Sequence, residues 1–153
     1  MTVTLADVFA ARGVIRGLAD ATPLVPSALS AALGREVLLK LETCQPTGAF
    51  KLRGALNALA ALPAGTSGLA CSSTGNHGRA VAWAARRRGL RAVICMSALV
   101  PEAKRAGIRA LGAEIRICGT SQDEAQDEAA RLCAAEGLTE VPPFDHPAVI
   151  AGQ

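Results

Sequence analysis

Two short stretches hold residues able to do chemistry. The first is Gln45-Pro46-Thr47-Gly48-Ala49-Phe50-Lys51-Leu52-Arg53-Gly54-Ala55. A Pro46-Thr47-Gly48 turn leads into a helix predicted over 51–62, with Leu52, Ala55, Leu56 and Leu59 on one face. Lys51 and Arg53 then fall in the first turn, where the partial positive charge of a helix N-terminus opposes cations. Three readings meet that conflict. An anion binds there; or Lys51 sheds its proton, as a Schiff-base nucleophile must; or both side chains reach into water. The local sequence leaves all three open.

The second stretch is Cys71-Ser72-Ser73-Thr74-Gly75-Asn76-His77-Gly78, which follows an apolar strand and opens another helix. Small, hydroxylic and glycine residues at such a turn leave backbone N–H groups free to hold an anion. A plain N-cap explains the same residues, since Ser, Thr and Asn all cap helices. A lysine turn followed by such a loop is more specific than either alone.

The elements that must position these stretches repeat. Leu69-Ala70-Cys71, Ala92-Val93-Ile94-Cys95 and Ile115-Arg116-Ile117-Cys118 each read as a short apolar strand ending at a cysteine and followed by small polar residues. Helices are predicted over 76–88, 102–111 and 122–136, terminated by Gly89, Gly112 and Gly137, the last opened by a Ser121/Glu124 capping box. This alternation predicts an α/β fold: a parallel sheet with flanking helices in three αβα layers. Right-handed crossovers put the cysteine-bearing strand ends on one edge, where open α/β sheets bind ligands. The cysteines themselves read as small buried strand residues. Upstream, a helix over 4–18 starts at Thr4 and Asp7 and is expected to pack Leu5, Val8, Phe9, Ile15 and Leu18 inward. Ser27 caps a short helix ended by Gly34, and 36–42 alternates as a strand with Val37, Leu39 and Leu41 on one side. Downstream, 141–147 is a proline-rich loop, with His146 expected on its surface, leading to an apolar stub.

Composition narrows the classes. Half of the 153 residues are apolar, too many for a disordered chain. Aromatics make up 3%, which argues against base-stacking nucleic-acid binders, and the one dense basic run, Arg86-Arg87-Arg88, complements a helix C-terminus. No apolar run reaches transmembrane length and no secretory signal pattern is visible. Five cysteines without a CxxC pair favour reduced thiols and a cytoplasmic location, and no ligand spacing suggests a metal.

Thr47-Gly48-Ala49-Phe50-Lys51-Leu52-Arg53-Gly54-Ala55, then Ser73-Thr74-Gly75-Asn76-His77-Gly78, then Val149-Ile150-Ala151-Gly152-Gln153, resemble the threonine/serine dehydratase family. These are pyridoxal 5'-phosphate (PLP) enzymes of the tryptophan-synthase-β fold, fold type II. The resemblance runs from Thr22 to Gln153. Within the family, the stretches 95–101 and 119–126 are most similar to hydroxyectoine-utilisation dehydratases. The resemblance implies that Lys51 bonds to PLP as a Schiff base, that Phe50 flanks the cofactor ring and that Asn76 hydrogen-bonds its hydroxyl. Ser73, Gly75, Asn76 and His77 would hold the substrate carboxylate, largely through backbone N–H groups. The implied reaction removes water from a β-hydroxy amino acid, giving a keto acid and ammonia. Threonine, serine and a hydroxylated diaminobutyrate all have the required groups.

Family patterns also set three further expectations. Thr74 stands where many threonine dehydratases have Ala and serine racemases have Ser, so its hydroxyl can serve as acid or base on the opposite cofactor face, giving racemase activity. Leu52 and His77 depart from threonine synthase, which ranks below the dehydratases. Family members run roughly twice as long and carry a glycine-rich phosphate loop that these residues lack. The chain therefore reads as an N-terminal half: 1–50 belonging to a larger PLP domain, 51–147 a small βαβ domain, and 148–153 the start of a return to the larger one. On that reading the chain alone binds PLP weakly, and the full-length form is a homodimer. A non-catalytic βαβ anion binder is the contrasting class.

Overall fold

The computed structural model describes residues 2–153. Its centre is a four-stranded parallel sheet of β3 (Gly68–Ser72), β4 (Arg91–Met96), β5 (Glu114–Ile117) and β6 (Thr139–Glu140), in the order β5-β4-β3-β6. Between strands run α4 (Asn76–Arg87), α5 (Glu102–Arg109) and α6 (Gln122–Glu136). Alternation of side chains along β3 and β4 builds the two cores. Leu69, Cys71, Ile94 and Met96 face one side with Ala80, Val81 and Ile108 of α4 and α5. Ala70, Val93 and Cys95 face the other with Ala125, Ala129 and Leu132 of α6. The chain steps one way across the sheet with helices on the first face and returns with α6 on the second, so all crossovers share a hand. The predicted three layers are present. The two-residue strand β6 is too short to show in the sequence.

α6 begins and ends as predicted, with Ser121 Oγ accepting from Glu124 N at 3.1 Å, Glu124 accepting from Ser121 N at 2.9 Å, and Gly137 left-handed at φ 65°. Gly78 is required by packing: a Cβ there would meet Ile94 Cγ2 at 2.8 Å, so its absence lets α4 lie close on β4.

The N-terminal part differs from expectation. The helix α1 (Leu5–Ile15) has the predicted Thr4/Asp7 capping box, but Leu5, Val8 and Phe9 are exposed and only Ala11 and Ile15 are buried. The elements packed against α1 are α3 (Lys51–Ala60) and α7 (Pro147–Gly152), and they meet its Ala11/Ile15 side. The predicted 36–42 strand shrinks to β2 (Leu38–Lys40), paired antiparallel with β1 (Leu24–Pro26); with neither face covered, Leu39 stays exposed. Ser27 Oγ accepts from Leu29 N at 3.2 Å at the start of α2 (Leu29–Leu33), which Gly34 ends at φ 61°.

Three smaller corrections follow from packing. The predicted 51–62 helix stops at Ala60. Cys71 and Cys95 are buried strand residues, whereas Cys118 lies just beyond β5 and is half-buried; all five cysteines are free. His146 is not on a surface loop: it is half-buried at the N-cap of α7, the helix formed by the predicted stub.

Candidate active site

Arg53 and Lys51 share a helix start but solve the charge conflict differently. Arg53 donates twice to Glu42, at 2.8 and 2.7 Å, and once to the Asp20 carbonyl at 2.9 Å. Thr22 Oγ1 and Gln45 Nε2 also donate to that carboxylate, at 2.5 and 3.2 Å. These donors, Arg53 foremost, hold the Glu42 carboxyl down at about 2. The network clamps the segment before α3 to its first turn. Neither Glu42 nor Gln45 stands out in the sequence, because both act by neutralising and positioning another residue.

Lys51 has no carboxylate partner among the described residues. Its Nζ donates to the Pro143 carbonyl at 2.7 Å and lies over two rings, Phe144 at 4.7 Å and Phe50 at 5.3 Å from the centroids. Burial in this apolar setting lowers its pKa. Of the three readings of the lysine turn, the geometry favours an amine eased toward its neutral form. A carbonyl acceptor takes one N–H and leaves a neutral amine's lone pair free.

The loop after β3 lines the same cleft as Lys51. Ser73 is fully engaged: its N–H donates to Cys95 O at 3.0 Å, and its Oγ accepts from Gly75 N at 3.2 Å and Gly78 N at 2.9 Å. The N–H groups of Thr74, Asn76 and His77 have no acceptor among the described residues. These three, rather than those of Ser73 or Gly75, are the free donors at the α4 N-terminus. The Thr74 and Asn76 side chains are exposed in the same loop.

His77 is buried, and its Nε2 contacts the Val141 carbonyl at 2.8 Å. A carbonyl only accepts, so the ring proton is on Nε2 and Nδ1 carries a lone pair. Nδ1 is buried without a partner. Burial, opposed by the Val141 bond and aided by the Lys51 charge, takes the His77 pKa down to about 4. Near pH 7 this ring cannot donate to a carboxylate; only the His77 backbone N–H can.

These groups line a cleft of about 600 Å³ at the carboxyl edge of the sheet. Phe50, Lys51 and Ser72 to His77 line it together. Pro143 and Phe144 arrive from beyond β6, Lys104 from α5 and Gln122 from α6. Gln122 also hydrogen-bonds Ser72 Oγ across the sheet edge. Every residue expected from the sequence lies here: Phe50, Lys51, Ser73, Thr74, Gly75, Asn76 and His77. Missed were Ser72, which lies one residue before the expected loop, and Pro143, Phe144, Lys104 and Gln122, which only the return of the chain through β6 and the helix starts could bring in. His146 is not among the lining residues.

A family model for pyridoxal-phosphate dependent enzymes matches residues 15–153. The chain belongs to that family. It is 56% identical over 135 residues to a putative threonine dehydratase of Sinorhizobium fredii, covering 86% of this chain and 41% of the relative. It is 39% identical over 153 residues to the serine racemase of Schizosaccharomyces pombe, covering 98% and 47%. Among solved structures, threonine deaminase isoform 2 of Solanum lycopersicum superposes with a TM-score of 0.86 at 37% identity, covering 97% of this chain and 41% of that one. The chain thus spans under half the length of these relatives. The fold is that of the N-terminal part of fold type II.

The cleft suits PLP, the cofactor of the family. An amine of lowered pKa matches an aldehyde, the half-exposed Phe50 ring matches a pyridine face, and the exposed Asn76 amide stands at the same opening.

Proposed function

We propose that this chain supplies the lysine-bearing wall of a PLP-dependent dehydratase acting on a small β-hydroxy amino acid such as threonine, serine or a hydroxylated diaminobutyrate. The observation that carries this reading is the environment of Lys51: an amine bonded to a carbonyl, near two rings and in one cleft with free backbone donors. Bound PLP supplies an electron sink for a carbanion at the amino acid's Cα. Lys51 is the residue to bond to PLP and, once released, to take the Cα proton on its own face. Phe50 would flank the ring of that cofactor and Asn76 would hydrogen-bond its hydroxyl. The substrate carboxylate docks on the N–H groups at the start of α4, with Ser73 Oγ holding Gly75 and Gly78 in place. The β-hydroxyl leaves as water. The enamine left behind hydrolyses to a keto acid and ammonia.

Thr74 favours a second activity. Its exposed hydroxyl lines the same cleft as Lys51 and would return a proton to the other face of the cofactor, which is racemisation. The 39% identity to a serine racemase is in keeping with that.

The test is borohydride reduction after incubation with PLP, followed by intact mass and peptide mapping. One adduct at Lys51, absent in Lys51→Ala, is the expected result. Adducts spread equally over Lys40, Lys51 and Lys104 would overturn the assignment.

A further inference from the structure

The chain has three lysines against thirteen arginines, and two of the three, Lys51 and Lys104, line the cleft. The third, Lys40, is bonded to the Thr22 carbonyl at 2.6 Å in the β1–β2 ribbon. Lysine differs from arginine in being a compact point charge on a flexible stem. Lys51 is accounted for by its amine chemistry. Lys104 is not. It is exposed on the first turn of α5, and its Nζ makes no hydrogen bond or ion pair among the described residues. The nearby Glu102 is turned to Arg105, at 3.8 Å, and to Arg109. No aspartate or glutamate lines the cleft among the described residues. A wall carrying the Lys104 ammonium and free N–H donors, with no carboxylate among the described residues, focuses positive potential on whatever enters.

We propose that Lys104 binds a second oxyanion in this cleft, in addition to the one held by the α4 N-terminus, and so selects ligands carrying two anionic groups over those with one. The inference rests on the reading of the cleft as a substrate site and names its charge preference. A ligand whose far end is cationic, such as a hydroxylated diaminobutyrate, is then disfavoured. The second oxyanion has two sources of the same chemistry, a second carboxylate on the amino acid or the phosphate of the cofactor.

The experiment is a titration of the whole chain followed by backbone amide NMR. The probes are L-malate with two carboxylates, L-lactate with one, and inorganic phosphate, each at constant ionic strength. The chains are wild type, Lys104→Met and Lys40→Met. Malate is expected to bind roughly fivefold more tightly than lactate, with shifts at Thr74 to His77 and around Lys104. That preference should vanish in Lys104→Met and persist in Lys40→Met. A malate preference without a Lys104-dependent response to phosphate assigns the oxyanion to a substrate side chain. Lys104-dependent phosphate binding that competes with malate assigns it to oxyanions generally, the cofactor's phosphate included. Equal binding of malate and lactate with no phosphate response overturns the proposal, as does a preference that survives Lys104→Met or is lost equally in Lys40→Met. The two readings fail separately. Specific labelling of Lys51 without a malate preference sinks this one alone; a Lys104-dependent preference without Lys51 labelling sinks the dehydratase reading alone.

Discussion

Gly54 and Gly152 meet where α3 crosses α7, so closely that a Cβ on Gly152 would lie 2.9 Å from Gly54 Cα and 2.8 Å from Arg53 O. A Cβ on Gly54 would lie 2.7 Å from Val149 O. These obstacles are backbone atoms, which cannot step aside as a flexible side chain can. Asn57 Nδ2 donates to Ala148 O at 2.8 Å beside the crossing. Two motifs a hundred residues apart in sequence thus form one contact behind Lys51.

Gly54→Ala should therefore destabilise the chain by about 1–3 kcal/mol, overpacking outweighing the better helix propensity of alanine. Gly107→Ala is the matched control. It is also inside a helix, but nothing lies within 4 Å of its Cβ position, so it should stabilise by about 0.5–1 kcal/mol. Urea denaturation of the two variants checks the opposite signs.

Glu42 gives stability a dependence on acid. Its folded carboxyl titrates near about 2, below its unfolded value of 4.5. The contribution is full above the unfolded value and is lost as pH falls toward about 2. Thermal melts between those limits should show a steep decline in wild type and a shallower one in Glu42→Gln. Equal slopes would mean that the Arg53 contact is not held in solution.

His77 acts in a separate, higher window. Its imidazole stays neutral down to about pH 4, whereas the unfolded chain's takes a proton near 6.5. Protonation therefore favours unfolding, and stability should drop between those values and level off below them. Nitrogen-15 NMR should find the Nε2–H tautomer at pH 6, and His77→Asn should remove this part of the pH dependence.

Lys51 should titrate below the ordinary lysine range, because burial disfavours its ammonium form. Reductive carbon-13 methylation followed by NMR reads that midpoint directly. A Lys51 signal titrating at or above the ordinary value would show that the rings and the Pro143 carbonyl stabilise the charge more than burial penalises it.

The layered sheet was legible because strand and helix alternate at near-constant spacing, and each helix carries its own start and stop residues. Lys51 was legible because a cation conflicts with an ordinary helix start, whereas the Ser73–His77 loop fits a plain N-cap and stood out only beside the lysine turn. The neutralisation of Arg53 was not, since Glu42 looks like any strand-end carboxylate until the turn folds it back. Nor were the exposed apolar residues of α1. Periodicity identifies an apolar stripe but cannot say whether anything packs against it. Pro143 and Phe144 read as loop filler because their role depends on β6, two residues long, landing beside β3.

The bond from Lys51 to the Pro143 carbonyl spans 92 positions. Chains emerge from the ribosome N-terminus first, at about 5–20 residues per second. The lysine is therefore in the open for several seconds before its acceptor has been made. Only when β6 has docked and brought Pro143 and Phe144 over the amine is the lysine put in its place. Lys51 is among the first parts of the cleft to be translated and among the last to be assembled, so a nascent chain carries an ordinary lysine.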